Sequence, residues 1–399
     1  MNKSETTKKR IYLDNAAATR VRKEVLESMM SFLTEDFGNA SSIHAEGVRA
    51  SRAVDEARVS VARTLEIKPE GIVFTGNGTE SNNLAILGYI KHLHLDKNVP
   101  YEEMEVVTTR IEHPSISEVM KELESLGVAV RYVKVNEEGI ITLLALQEAL
   151  SNKTVLVTFA YANSEVGTVQ PVHRLVRAIR KYEEGVGHEI VVHLDAAQAP
   201  LWLPCAFKQL GVDMMALDAG KCHGPKGVGL LAMRKVIALR PIIFGGGQEG
   251  GLRPGTENVA GIVGMAKALE LAQADYKERV EKVAGLRDET IKLLEEKVVG
   301  VVLNGAVGES RLANNINISL PGFDTEYAVV YMDAQGIAAS TKSACAGAGG
   351  GESAVVKELT ADAARSRSTI RFSLGEDTTM EDLEYVVDAL VKFCDRMRG

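Results

Sequence analysis

The stretch MMALDAGKCHGPKGVGLLAM, residues 214–233, holds two apolar runs, Met214–Leu217 and Gly229–Met233, separated by a turn with three glycines and Pro225. Short apolar runs bounded by turn residues read as strands buried on both faces. The same pattern repeats upstream, at Gly71–Thr75, Glu105–Thr109, Ala129–Lys134, Thr154–Tyr161 and Ile190–Leu194. Between these runs lie patterns of helical period, at Glu46–Leu65, Ser81–His92, Ser115–Leu126, Leu143–Ala149 and Val172–Glu184. Strands that alternate with amphipathic helices predict an α/β fold, a mainly parallel sheet with helices on both faces. Ligands of such sheets sit beyond the carboxyl ends of the strands.

Downstream, Asn258–Leu294 reads as one long helical stretch. Strand patterns at Val301–Asn304, Ala313–Ser319, Ala338–Thr341 and Ser368–Ser373 follow it, with helices at Thr325–Gln335 and Met380–Arg396. This predicts a smaller α+β domain made of residues 1–19 and 275–399, beside a large domain of residues 20–274. The chain has 399 residues, a length that suits two such domains. Its formal charge of -8 gives no basic footprint for nucleic acid or for an anionic membrane surface. No apolar run has membrane-spanning length, and MNKSETTKKR lacks the apolar core of a secretory signal. The four cysteines, 205, 222, 345 and 394, show no metal-ligand spacing. A cytoplasmic protein with free thiols is therefore expected.

Several residues are placed to carry chemistry, and each has a plainer reading. FTGNGTES (74–81) runs from a strand through glycines into a helix; Gly78 and Thr79 make either a phosphate cradle or an ordinary capped turn. Asp195 ends the apolar run of VVHLDAAQ, as a partner for a cofactor nitrogen or as a helix cap. Lys221 follows a strand, where a lysine forms a Schiff base if its amine is deprotonated, or simply meets solvent. His113, in RIEHPS, stacks on a flat cofactor and moves protons, or caps the helix opened by Pro114. Arg371, in STIRFSLG, grips a substrate carboxylate or pairs with an acidic side chain of the protein. Cys345 lies among glycines and small residues near Lys342, as a reactive thiol or an incidental one. Cys205 and Cys394 read as structural, and Cys222, beside Lys221, as a non-catalytic neighbour.

In order along the chain, YLDNAAAT (12–19), FGNASSIH (37–44), FTGNGTESNNLAI, IEHPS, ANSEVGTVQP (162–171), LDAAQ, GKCHGPKGVG, GGGQEGGLRPGTEN (245–258), STKSAC and STIRFSLG resemble the cysteine desulfurases of NifS/IscS type. These belong to the class V aminotransferase-like group of pyridoxal 5'-phosphate (PLP) enzymes of fold type I. The resemblance implies Lys221 as the Schiff-base lysine and Asp195 as partner of the ring nitrogen. It implies Gln198 and Asn163 as contacts of the ring oxygen, with Asn163 also toward substrate, and His113 as the stacking, proton-handling residue. Gly78 and Thr79 match the phosphate cradle, and Thr256 a threonine that reaches the phosphate in the other subunit of a homodimer. Arg371 matches the arginine for the carboxylate of L-cysteine. Cys345 matches the cysteine that keeps the sulfur as a persulfide, while alanine leaves, and hands it to an acceptor such as an iron–sulfur scaffold or a tRNA-thiolation protein. A selenocysteine lyase, another enzyme of the group, and a catalytically impaired scaffold are the competing expectations.

One stretch departs from the pattern. The family usually carries Ser-x-His-Lys where this chain has Asp218-Ala219-Gly220-Lys221. A carboxylate replaces a hydroxyl and an imidazole is lost near the phosphate. His223 is the expected substitute for that imidazole, and PLP is expected to bind more weakly, through Gly78, Thr79 and Thr256.

Overall fold

The computed structural model describes residues 10–341 and 351–398. A short strand β1 (Ile11–Tyr12) and the helices α1 (Lys23–Thr34) and α2 (Ala45–Thr64) come first. Then strand and helix alternate as the periodicity predicts: β2 (Ile72–Thr75), α3 (Gly78–Lys97), β3 (Glu105–Thr109), α4 (Pro114–Ser125), β4 (Ala129–Val133), α5 (Leu143–Ala149), β5 (Thr154–Ala160), α6 (Val172–Val186), β6 (Val191–Asp195), α7 (Phe207–Leu210), β7 (Met214–Asp218) and β8 (Gly229–Met233). Strands β2 to β8 form one sheet in the order β2-β8-β7-β6-β5-β3-β4. Only β8 runs against its neighbours.

Every residue of β2, β3, β6 and β8 is buried, so none of these strands alternates apolar with exposed polar positions, and polar residues they hold, such as Glu105, Thr108 and His193, are buried too. One face of the sheet packs Val157, Phe159, Val192 and Leu194 against α2 and α6 and the buried side of α8 (Val259–Ala274). The other face packs Val106, Leu156 and Val191 against α3 and α4. Because β3, β5, β6 and β7 are parallel, their carboxyl ends lie along one edge. The end of β2 joins them, since Thr75 and Asp218 both pair with Gly229.

The helix expected over Asn258–Leu294 is in fact two. Helix α8 stops at Ala274, Asp275 leaves helical geometry (φ -116°, ψ 16°), and α9 runs Tyr276–Lys297. The physical reason is a change of burial. Helix α8 is apolar on most sides and lies in the sheet core, whereas α9 is largely charged and contributes Val283 and Leu294 to a separate core. The remaining elements are β9 (Val302–Leu303), β10 (Asn315–Ser319), α10 (Thr325–Ala334), β11 (Ile337–Ala338), α11 (Ala354–Thr360), α12 (Ala363–Arg367), β12 (Thr369–Ser373) and α13 (Met380–Arg398). An antiparallel sheet of order β12-β10-β9 places Asn317 opposite Arg371, and β1 returns from the amino terminus to pair with β11.

Candidate active site

A cavity of about 290 Å³ opens at the carboxyl edge of the large sheet. Its lining includes Gly78, Thr79, His113, Asn163, Asp195, Gln198, Lys221 and Arg371. Six residues marked one by one in the sequence, and Asn163 and Gln198, which the resemblance implied, are thus brought together. Seven of them stand at or just past a strand end of the large sheet: Gly78 and Thr79 after β2, His113 after β3, Asn163 after β5, Asp195 at the end of β6 and Gln198 beyond it, Lys221 after β7. Only Arg371 comes from the smaller sheet.

Lys221 reaches back to the loop after β1, where its Nζ donates to the carbonyls of Ala16 (3.0 Å) and Ala17 (2.6 Å). Gln198 donates from Nε2 to the same Ala16 carbonyl at 3.0 Å. Asp195 is buried and both its oxygens are held: Oδ1 accepts from the amide of Ala197 (3.0 Å) and Oδ2 from Nδ2 of Asn82 (3.0 Å). These bonds fix the orientation of the carboxylate.

His113 serves as cap and cavity wall together. Its Nδ1 accepts from the backbone amide of Ser115 (3.1 Å) as the cap of α4 and lies 2.8 Å from Ser115 Oγ. Accepting at Nδ1 leaves the ring proton on Nε2. Burial, the largest influence, holds the imidazole below its ordinary pKa, with Asp195 pulling the other way. The ring is therefore neutral at neutral pH.

Arg371 meets the plainer of its two readings, pairing with an acidic side chain, and it lines the cavity as well. It is buried, donating from one terminal nitrogen to Asp14 Oδ1 (2.6 Å) and from the other to the Ser164 carbonyl (3.0 Å). Its Nε has no partner among the described residues. Asn163 accepts at Oδ1 from the amides of Glu165 and Val166 and donates from Nδ2 to the Ile111 carbonyl. One of its two amide hydrogens remains for the cavity.

Thr256 is exposed and does not line the cavity of its own chain. Cys345 lies outside the described residues. The backbone of Ser340, five residues before it, exchanges hydrogen bonds with Arg371 (3.1 and 2.6 Å). Five residues reach at most about 17 Å. The cysteines at 205, 222 and 394 are buried, and burial raises all three thiols, that of Cys222 to about 12. Cys222 directs its sulfur at the carbonyls of Asp218 and Ala219, away from the cavity. All three are poor nucleophiles as they stand.

His223 does not substitute for the imidazole missing at Gly220. It has a left-handed backbone (φ 63°) that turns its ring toward the Arg20 carbonyl (2.9 Å) and Glu376, outside the cavity. Asp218, by contrast, lines the cavity, and its Oδ2 accepts from the Gly78 amide at 2.9 Å.

The sequence reading missed three polar residues behind the front row. Asn82, one turn into α3, uses one amide group to bridge Asp195 Oδ2 (3.0 Å) and Ser115 Oγ (2.8 Å), so it ties the carboxylate to the histidine cap. Glu112 is buried between strand ends, with Oε1 accepting from Thr109 (2.5 Å) and Oε2 without a partner among the described residues. Burial foremost, then the charge of Asp195, pushes it up to about 8, so it is a neutral acid at pH 7. Asp14 is the third. A polar residue on an otherwise buried helix face, as in SNNLAI, is the one signal that pointed to Asn82.

The aminotransferase class-V family model matches residues 11–386. The chain is 39% identical to the cysteine desulfurase IscS of Dictyoglomus turgidum, over 98% of this chain and 96% of that one. It is 37% identical to a cysteine desulfurase of Trichormus azollae, over 98% and 94%. Among solved structures, a NifS-like protein superposes with a TM-score of 0.88 at 34% identity, covering 97% of this chain and all of the other. SspA in complex with cysteine superposes with a TM-score of 0.77 at 32% identity, over 92% and 100%.

Proposed function

The chain belongs to the class V aminotransferase family, among relatives that are cysteine desulfurases, and from that membership we propose that it converts L-cysteine to L-alanine and passes the sulfur to Cys345. The single observation that carries the assignment to residues is the convergence of Lys221, Asp195, His113 and Arg371 on one cavity from four separate segments. The names of the relatives give no support to a selenocysteine lyase or an inert scaffold.

The residues present fit PLP at its ring and aldehyde ends. A buried carboxylate held by two donors, Asp195, suits a protonated ring nitrogen, and a lysine 2.6–3.0 Å from two carbonyls has a polar seat to leave and return to. Gln198 and Asn163 would face the ring oxygen, and Gly78, Thr79 and the partner subunit's Thr256 the phosphate. Bound PLP supplies an aldehyde that condenses with amines and a pyridinium that withdraws electrons from the α-carbon of an amino acid.

The chain's own part is then positional and acid–base. Arg371 binds the carboxylate of L-cysteine, its fork already fixed by Asp14 and Ser164. Lys221 would act as the base toward the α-carbon, and His113 holds a proton at Nε2. The Cys345 thiolate attacks the substrate sulfur; an S–S bond forms and the C–S bond breaks. The electron pair stays with the carbon fragment, which takes a proton and leaves as alanine. The persulfide on Cys345 next goes to an acceptor protein, such as an iron–sulfur scaffold.

The same reading makes the molecule a cytoplasmic homodimer, with residues 20–274 as the large domain and residues 1–19 and 275–399 as the small one. Supporting it are the exposure of Thr256 and an uncovered apolar stripe on α1, Leu26, Met30 and Leu33. No helix among the described residues is long and apolar enough to cross a membrane.

The test is cysteine-dependent formation of alanine and of sulfide with a thiol reductant present. Lys221→Ala is expected to abolish both products. Cys345→Ser is expected to keep the PLP colour and lose the protein persulfide seen by intact mass. Sulfide release that survives either substitution refutes the role given to that residue.

A further inference from the structure

We propose that Asp218 is an internal anion that occupies the phosphate end of the cavity and sets the affinity for PLP by competing with the cofactor's phosphate. This rests on the PLP reading above. Helix α3 begins at Gly78, and its first amides form a positive end open to the cavity. The Glu80 amide is satisfied by the Asn77 side chain at 2.9 Å. The Gly78 amide, which an incoming phosphate would need, already donates to Asp218 Oδ2 at 2.9 Å. The other oxygen, Oδ1, accepts from the Gly220 amide at 2.9 Å. The carboxylate thus takes the first backbone donor of α3, where a free anion would bind, and is held in place by an amide of its own following turn.

The backbone leaves Asp218 little choice of place. It is the last residue of β7, paired with Gly229, and an ideal Cβ on Gly78 would stand 3.4 Å from Oδ2. Carboxylate and phosphate therefore meet at the same donors, and like charges there oppose each other. Neither position 220 nor position 223 offers the phosphate an imidazole, since residue 220 is glycine and His223 faces Arg20 and Glu376. The phosphate should accordingly contribute little to cofactor affinity until the carboxylate is removed.

The experiment measures dissociation constants for PLP and for pyridoxal, which has no phosphate, on cofactor-stripped wild type, Asp218→Asn and Asp218→Ser, from the visible absorbance of the lysine-bound cofactor. The nearly isosteric Asp218→Asn removes the charge alone, so loss of the fold does not cloud the result. We expect PLP to bind about tenfold tighter or better to Asp218→Ser, with Asp218→Asn between it and wild type. Pyridoxal affinity should change less than about twofold across the three. PLP affinity that is unchanged or weaker in both variants, with colour intact, overturns the proposal alone. No colour in any of the three proteins with either compound overturns it together with the cofactor reading.

Discussion

At the scale of single residues, the site works through pairs. Asp195 and His113 do not touch, yet both are positioned through Asn82 and Ser115. Asn82→Ala would free one oxygen of Asp195 and leave Ser115 without its donor. Residues that orient the groups doing chemistry typically contribute 10–100-fold. The expected result is a kcat lower by about that factor, with KM for cysteine changed less than about threefold. Asn82→Asp, which retains the shape but presents a second carboxylate, should not restore kcat. A KM effect without a kcat effect would assign Asn82 to substrate binding instead. The residue scale is also where the sequence spoke most clearly and most ambiguously. His113 and Arg371 each had a structural and a functional reading; each satisfies the structural one and also lines the cavity, because a side chain fixed by capping or by an ion pair is held where a cavity can use it.

Elements decide the titration behaviour. Where β3, β5 and β6 lie side by side, burial traps two groups in their neutral forms. Among the described residues the side chain of His193 in β6 bonds only to Thr158 of β5 (2.8 Å), and burial lowers it to about 3. Above about pH 6.5 it is neutral folded or unfolded and costs nothing. As pH falls from 6.5 toward 3 the unfolded chain takes a proton that the folded chain refuses, so stability is lost by up to about 1.4 kcal/mol per pH unit. His113, also lowered, adds to the same limb. Glu112, raised to about 8 by burial, has the opposite sign. Its contribution is complete below about pH 4.5 and is lost as pH rises toward 8, because only the unfolded carboxyl ionises. Melting curves between pH 5 and pH 8 test both. His193→Gln should flatten the loss toward acid, and Glu112→Gln the loss toward alkali. Slopes identical to wild type in both variants would show that these groups are solvated in the native state.

Across the whole molecule, a cavity made by one chain omits Thr256, and α1 leaves an apolar stripe in water. Light scattering should give twice the 43.1 kDa of the chain. Mixing a Lys221→Ala subunit with a Thr256→Ala subunit should restore activity at one site in the hybrid; additive residual activity would leave Thr256 within its own subunit or without a role. The alternation of apolar runs with helical patterns determined the layered α/β sheet by itself, because burial on both faces imposes composition directly on each strand. The order of motifs likewise determined the family, and Asp195 and Lys221 announced themselves by standing where an apolar run stops. Tertiary structure alone decided the rest. The break at Asp275 depends on which core each half of the helical stretch meets. The turn of His223 away from the cavity follows from a left-handed backbone that no neighbouring residue foretells. The seats of Asn82, Glu112 and Asp218 depend on strands brought together from far apart in sequence. Local pattern records what a residue must hide from water; only the packed chain settles which distant donor it then meets.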